Sequence, residues 1–365
     1  MLELVLDKEF INTFHLAYNG DDEYVDDFSK YFIKNVQKLK LVSNYLNIED
    51  IMNEAKDNPL LELIIERLPT LDFQTDLLSF IDSPEFPIAG SPVKLILTGE
   101  SNETCNNRRK RFGLEYINPE NLSDRWQLHY SRRPDINKKT TDDPEIPDDH
   151  KFDSWDKLTP FVHPLNAIVI IDFYLLCWTK EDDFKANLNN NIVPLLMNLL
   201  SEAAEETTVN ITIVSEFKDT PPKKQKDRVS VSHTLIENAL KSRTSKSFSL
   251  NILVHNKSNY PSGFQEFHDR LIITNYFYID SGAGFAIDSH AGFDLFSKSG
   301  KIRKIRKNTE VKFRSVLNIQ NYFSAFFDLK QLDIYCKKLE NHPGLPDYVN
   351  FYPSKTNRLM NIEHF

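Results

Sequence analysis

The chain has 365 residues, of which 40% are hydrophobic and 27% charged, with a formal net charge of −9. These values fit a folded chain of one large or two ordinary domains and exclude a surface coated in basic residues, although a local basic groove stays open because binding depends on where charge sits. Three widely spaced cysteines without a CxxC offer neither a zinc knuckle nor a redox pair, and they point to a reducing compartment.

The first residues, MLELVLDKEF, lack the basic start and apolar core of a signal peptide. No apolar run approaches the ~20 residues that span a bilayer. A cytoplasmic protein without a membrane partner is therefore expected. Residues 2–6 (LELVL) read as a short strand, and the stretch from about Asp21 to Leu68 reads as helical. Within it Ile48, Ile51, Met52 and Ala55 recur at helical spacing, which predicts an apolar stripe on one of two helices covering a sheet. VKLILT (93–98) is a second strand ending at Gly99. The polar stretch 100–133 carries RRKR at 108–111, read as a loop patch. Residues 1–133 thus form a mixed α/β N-terminal region of unassigned role. Residues 134–160, rich in Pro and Asp, read as a linker or long loop.

From residue 161 to 340 the pattern is regular. AIVIIDFYLLC (167–177) is a continuous apolar run, typical of a strand buried on both faces. An amphipathic helix (191–206), a strand (209–216), a loop (219–227), a helix (229–243) and a strand (250–255) follow. Another strand then begins near residue 268, and a strand at 311–318 leads into a long helix. The order β-α-β-α-β-β predicts an α/β domain whose mixed, largely parallel sheet is flanked by helices. Residues 341–365 read as an irregular tail.

The stretch FHDRLIITNYFYIDSGAGF (267–285) carries the chemistry. Alternation on a strand sends His268 and Arg270 to one side and Asp269 to the other. A histidine held by a partner can attack a phosphodiester and form a phosphohistidine, and an adjacent cation neutralises the developing charge. Four residues separate Arg270 from Asn275, and six more lead to Gly282, Ala283 and Gly284. The spacing resembles the phospholipase D superfamily signature, in which a histidine, a lysine, an aspartate and a Gly-Ser pair stand at those positions. The likeness covers roughly residues 160–290. It implies a phospholipase D-like fold and a phosphodiesterase or nuclease needing no metal or other cofactor. It also implies His268 as nucleophile, Arg270 as phosphate clamp, Asn275 as orienter, and Gly282 and Gly284 at the phosphate.

Three positions depart from that signature: Arg270 for lysine, Asn275 for aspartate and Ala283 for serine. Arg keeps the charge and grips phosphate with two donors, whereas Asn supplies no negative charge. Active relatives pair two motifs, and no second one occurs here; His255-Asn256-Lys257 has the first spacing but leads to Ser262. The missing half-site then comes from a second subunit across a two-fold axis or does not exist. Three readings follow: a catalytic homodimer, a degenerate copy binding nucleic acid or partner proteins within an assembly, or a coincidence of spacing around an ordinary histidine.

Other residues carry weaker signals. Lys301, Arg303, Lys304 and Arg306 in KSGKIRKIRK (298–307) would track a nucleic-acid backbone or simply form a solvated hairpin. Asp172 interrupts an apolar strand, which is costly unless it is paired. It reads either as part of a site at the strand end or as a structural strand-edge residue. Asp7 with Asp21, Asp22, Asp26 and Asp27 offers a metal-dependent nuclease, against helix capping for the last four.

Overall fold

A computed structural model describes residues 2–18, 39–66, 70–130, 136–140, 145, 147–152, 154–172, 175–176, 181–216, 222–255, 270–281, 295–296, 302–303, 309–340 and 357–360. The described residues are α/β, with one five-stranded sheet, one seven-stranded sheet and a separate two-stranded pairing.

The first sheet has strand order β3-β2-β1-β4-β5 and is parallel at every pairing. Its strands are β1 (Leu2–Leu6), β2 (Leu39–Ser43), β3 (Thr70–Phe73), β4 (Lys94–Leu97) and β5 (Glu115–Ile117). The connections include α1 (Lys8–Tyr18), α2 (Ile48–Ala55), α3 (Pro59–Glu66), α4 (Leu77–Asp82) and α5 (Asn102–Phe112), with α6 (Leu122–Tyr130) following β5. Local chemistry sets the helix starts. Asn47, Asp76 and Ser101 each accept a hydrogen bond from the amide three residues on, at 2.9, 3.3 and 3.2 Å, satisfying an amide that has no partner inside the helix.

Three expectations change here. The stretch read as helical contains strand β2 (Leu39–Ser43). Of the apolar stripe on α2, Ile51 and Ala55 are buried, but Ile48 and Met52 are exposed. The RRKR run lies on α5 rather than in a loop. Arg108 and Arg109 are buried; Arg108 forks onto Asp82 at 2.9 and 2.8 Å. Such pairing is what makes a buried guanidinium tolerable.

The second sheet has order β6-β14-β11-β10-β7-β8-β9. Strands β7 (Ala167–Ile171), β8 (Val209–Glu216) and β9 (Phe248–His255) are parallel. Strands β10 (Arg270–Thr274), β11 (Phe277–Ser281), β14 (Thr309–Ser315) and β6 (Ile136–Thr140) add on antiparallel. Helices α7 (Glu181–Asn187), α8 (Val193–Ser201), α9 (Pro222–Lys241) and α10 (Ile319–Glu340) complete the domain. A two-stranded pairing of β12 (Leu295–Phe296) with β13 (Ile302–Arg303) stands apart. The span 134–160 is more than a linker, because β6 within it is the edge strand of this sheet. Its lysines explain why no apolar signal marks it: an edge strand carries charge to discourage further pairing.

Strand β7 shows why its sequence is apolar throughout. Ala167, Val169 and Ile171 join a core that includes Leu2, Leu4, Leu6 and residues of α10. Ile168 and Ile170 point into a second core built with α8 and α9. Each fully buried Ile or Val stabilises by about 1.5–3 kcal/mol. The starts of β4 and β5 meet the start of β7 and the turn after β10: Asn275 donates to the Pro92 carbonyl, and Tyr276 Oη donates to the Lys94 carbonyl and accepts from Glu115 N. Gly113 shows how tightly: its φ is 63°, and a Cβ there would lie 2.1 Å from the Leu165 carbonyl oxygen. Gly113→Ala is expected to lower unfolding free energy by at least about 2 kcal/mol, combining left-handed strain with a backbone clash. Urea denaturation checks it, and a change below about 0.5 kcal/mol would contradict this packing.

Candidate functional site

In an open α/β sheet, ligands bind outside the carboxyl ends of the strands, where the strand order reverses. The second sheet reverses at β7. From β7 the chain runs through β8 to β9 on one side, then returns to the other side as β10. Asp172 lies directly after β7, and its amide donates to the Val214 carbonyl at 3.0 Å. Leu175 N donates to the Asp172 carbonyl at 3.2 Å, and Ser215 Oγ on β8 accepts from Leu176 N at 3.1 Å. Arg270 opens β10 at the same edge, in register with Ser281 of β11. Its Nε is 3.6 Å from Asp172 Oδ1. The carboxylate is almost fully buried and the guanidinium is partly open. A charged, positioned cation thus stands at the switch point.

Asn275 occupies the other end of β10, roughly 17 Å from Arg270 at ~3.4 Å per strand residue. It is wholly buried. Its Oδ1 accepts from the Asn166 and Ala167 amides at 2.9 and 3.1 Å. Its Nδ2 donates to the Pro92 carbonyl at 2.7 Å and to Asn166 Oδ1 at 3.1 Å. All four hydrogen-bonding positions of the carboxamide are filled. Arg358, in a short helical turn of the tail (Arg358–Met360), donates to Asn166 Oδ1 at 2.9 Å and to the Ser91 carbonyl at 3.2 Å. Part of the tail read as irregular therefore docks into the seam between the sheets.

Of the sequence-derived site residues, Arg270 and Asn275 are described in full and stand apart. Arg303 lies in β13. His268, Gly282, Gly284, Lys301, Lys304 and Arg306 lie outside the described residues, as do Asp21, Asp22, Asp26 and Asp27. Asp7 is at the carboxyl edge of the first sheet, at the end of β1. Its carboxylate accepts from Glu9 N, Asn44 Nδ2, Thr98 Oγ1 and Gly99 N at 3.1–3.3 Å, tying β1 to the ends of β2 and β4.

One cluster carried no sequence signal, because its members are remote in the chain. Glu115 of β5 is fully buried. Arg125 of α6 clamps both its oxygens at 2.6 Å, and Arg109 stands 3.7 Å away. His129 Nε2 lies 3.2 Å and His163 Nδ1 3.8 Å from Glu115 Oε2. The two imidazoles stack with centroids 4.2 Å apart, and His163 also packs on Phe277 at 4.2 Å. Burial alone would raise the Glu115 carboxyl, but the Arg125 charge and the surrounding donors hold it well below the usual carboxylate range. Burial lowers both histidines, His163 to about 3 with His129 adding to the shift.

No protein-family model matches the chain, and no curated protein matches it. Among the described residues, no helix is long and apolar enough to cross a membrane.

Proposed function

We propose that the second domain is a phospholipase D-like phosphodiesterase acting on nucleic acid, with its site at the β7/β10 switch point. His268 is the nucleophile and Arg270 the phosphate clamp. The observation that carries this reading is the position of Arg270: the motif's cation lies at the sheet edge where α/β proteins bind ligands, and the motif's histidine stands two residues before it in the sequence. A guanidinium there holds phosphate through two parallel hydrogen bonds. Asn275 we assign to the seam rather than to the chemistry, since its donors and acceptors are all engaged within the protein. The leaving group takes its proton from a second His268 in a homodimer of cytoplasmic protein.

The second reading, a non-catalytic binding protein, has its own support: the motif position that carries an acid in active relatives is here a neutral residue serving the joint. One experiment separates the two. Hydrolysis of single- and double-stranded DNA and RNA is measured in chelator, with circular dichroism confirming the fold. Turnover that persists in chelator, disappears in His268→Ala and falls about 100-fold or more in Arg270→Ala supports the enzyme. Salt-sensitive binding without turnover, weakened in Arg270→Ala, supports the binding protein. Turnover unaffected by His268→Ala overturns the proposal.

A further inference from the structure

We propose that Glu115, His129 and His163 form a metal site, of the kind that takes zinc, within the seam between the two sheets. It is independent of the phosphate site.

The three residues come from three segments: β5, α6 and the stretch before β7. Each presents one ligand atom, and those atoms all lie within 4.8 Å of one another. Zinc bonds to histidine nitrogen and carboxylate oxygen are about 2.0–2.2 Å, so ligand atoms around a tetrahedral ion stand ~3.3 Å apart. The His129 and His163 nitrogens are 3.2 and 3.8 Å from Glu115 Oε2, near that spacing, and all three ligand atoms lie within 4.8 Å of one another. His163 supplies a second, independent sign. It is buried, and neither of its ring nitrogens has a hydrogen-bond partner. An unsatisfied buried polar group is expensive, and a metal ion on one of these nitrogens would satisfy that one.

The donor types suit a metal: imidazole nitrogen and carboxylate oxygen are the ligands zinc takes besides thiolate. The surroundings resemble the outer support that metal ligands commonly have. Ser315 Oγ lies 3.5 Å from His129 Nδ1, and Arg125 fixes the plane of the Glu115 carboxylate. Arg125 occupies one lone pair on each oxygen, which leaves Oε2 an acceptor position towards the histidines. The nearby cations oppose a divalent ion. Arg109 is directed to the Tyr116 carbonyl and Asn106 Oδ1 instead, and the positive field makes this a weaker site than a closed cysteine site. A fourth, non-protein ligand would complete a tetrahedral site.

The test uses the untagged full chain. It is purified without chelator, its metal content is measured, and the metal-free form is titrated with zinc and with cobalt. The expected result is about one zinc per chain, a rise in melting temperature on adding zinc, and visible cobalt bands of a tetrahedral N/O site. His129→Ala and His163→Ala should each abolish the cobalt bands and the thermal shift, while His233→Ala, a buried histidine elsewhere, should keep both. Should the variants fail to fold, the wild-type cobalt spectrum and thermal shift decide. Folded wild-type protein with no cobalt bands and no zinc-dependent shift overturns the proposal. So does stoichiometric zinc that survives loss of both histidines. Neither result bears on turnover at the Arg270 end.

Discussion

Asn275→Asp is expected to destabilise the protein by about 3–5 kcal/mol at pH 7 and to leave phosphodiester hydrolysis no faster. Judged by the motif alone, the change restores an acid and should help. The seam gives the opposite result. The carboxamide nitrogen donates to the Pro92 carbonyl and to Asn166 Oδ1, and a carboxylate would turn an acceptor towards both. Asn166 cannot relieve the conflict by rotating its amide. Its Oδ1 also accepts from Arg358, and its Nδ2 donates to the Phe112 carbonyl. The introduced carboxyl would sit in full burial, so its folded pKa is raised above the unfolded value of about 3.9. A group shifted that way stabilises below its unfolded pKa and loses that contribution as pH rises through the folded one. The variant should therefore recover toward wild type as pH falls from 7 to about 4. Urea denaturation across that range measures it. A variant as stable as wild type and more active would return Asn275 to the chemistry.

The same residue shows what was legible in the sequence. Strand β10 could be read from its apolar run, and Arg270 at its start and Asn275 after it could be read from their spacing. The spacing could not say that the two ends of the strand serve different purposes. That depends on which neighbour each end meets. The Asn275 neighbours are Asn166 and Pro92, which are 109 and 183 residues away in the chain. Strands of the parallel core, β7, β8 and β9, stood out because both faces are buried. Strand β2 was taken for helix, since LKLVS sits among helix-forming neighbours. Strand β6 was taken for loop because, as a lysine-bearing edge strand, it offers no apolar alternation. The buried arginines of α5 read as a loop patch because a charge run gives no hint of Asp82 waiting opposite. Glu115, His129 and His163 lacked any local pattern, since three segments contribute one residue each.

Lys94→Met should cost about 3–5 kcal/mol, and its effect should depend on pH in an unusual direction. Lys94 is buried at the start of β4. Its Nζ donates to the Phe86 carbonyl at 2.5 Å, lies 3.4 Å from Glu3 Oε1 and sits over the Phe86 ring. Removing the ammonium leaves Glu3 buried, with the Ser91 amide at 3.3 Å as a remaining donor. Adding Glu3→Gln to Lys94→Met should recover most of the loss, because the orphaned charge goes while an acceptor for Ser91 stays. The pH effect follows from burial, which pushes Lys94 down to about 8, with Glu3 partly countering. In the unfolded chain the same lysine titrates near 10.4. Between pH 8 and about 10 the unfolded state holds the extra proton, so unfolding free energy should rise with pH by up to about 1.4 kcal/mol per unit from this group. Above that window the rise ends: Tyr45, Tyr116 and Tyr322 are raised above their ordinary value, chiefly by burial, and they ionise only on unfolding. Wild type should gain stability relative to Lys94→Met from pH 7.5 to 9.5, measured as a widening gap in urea midpoints. A gap that stays constant would mean the lysine keeps its proton, and that the Glu3 pair outweighs the cost of burial.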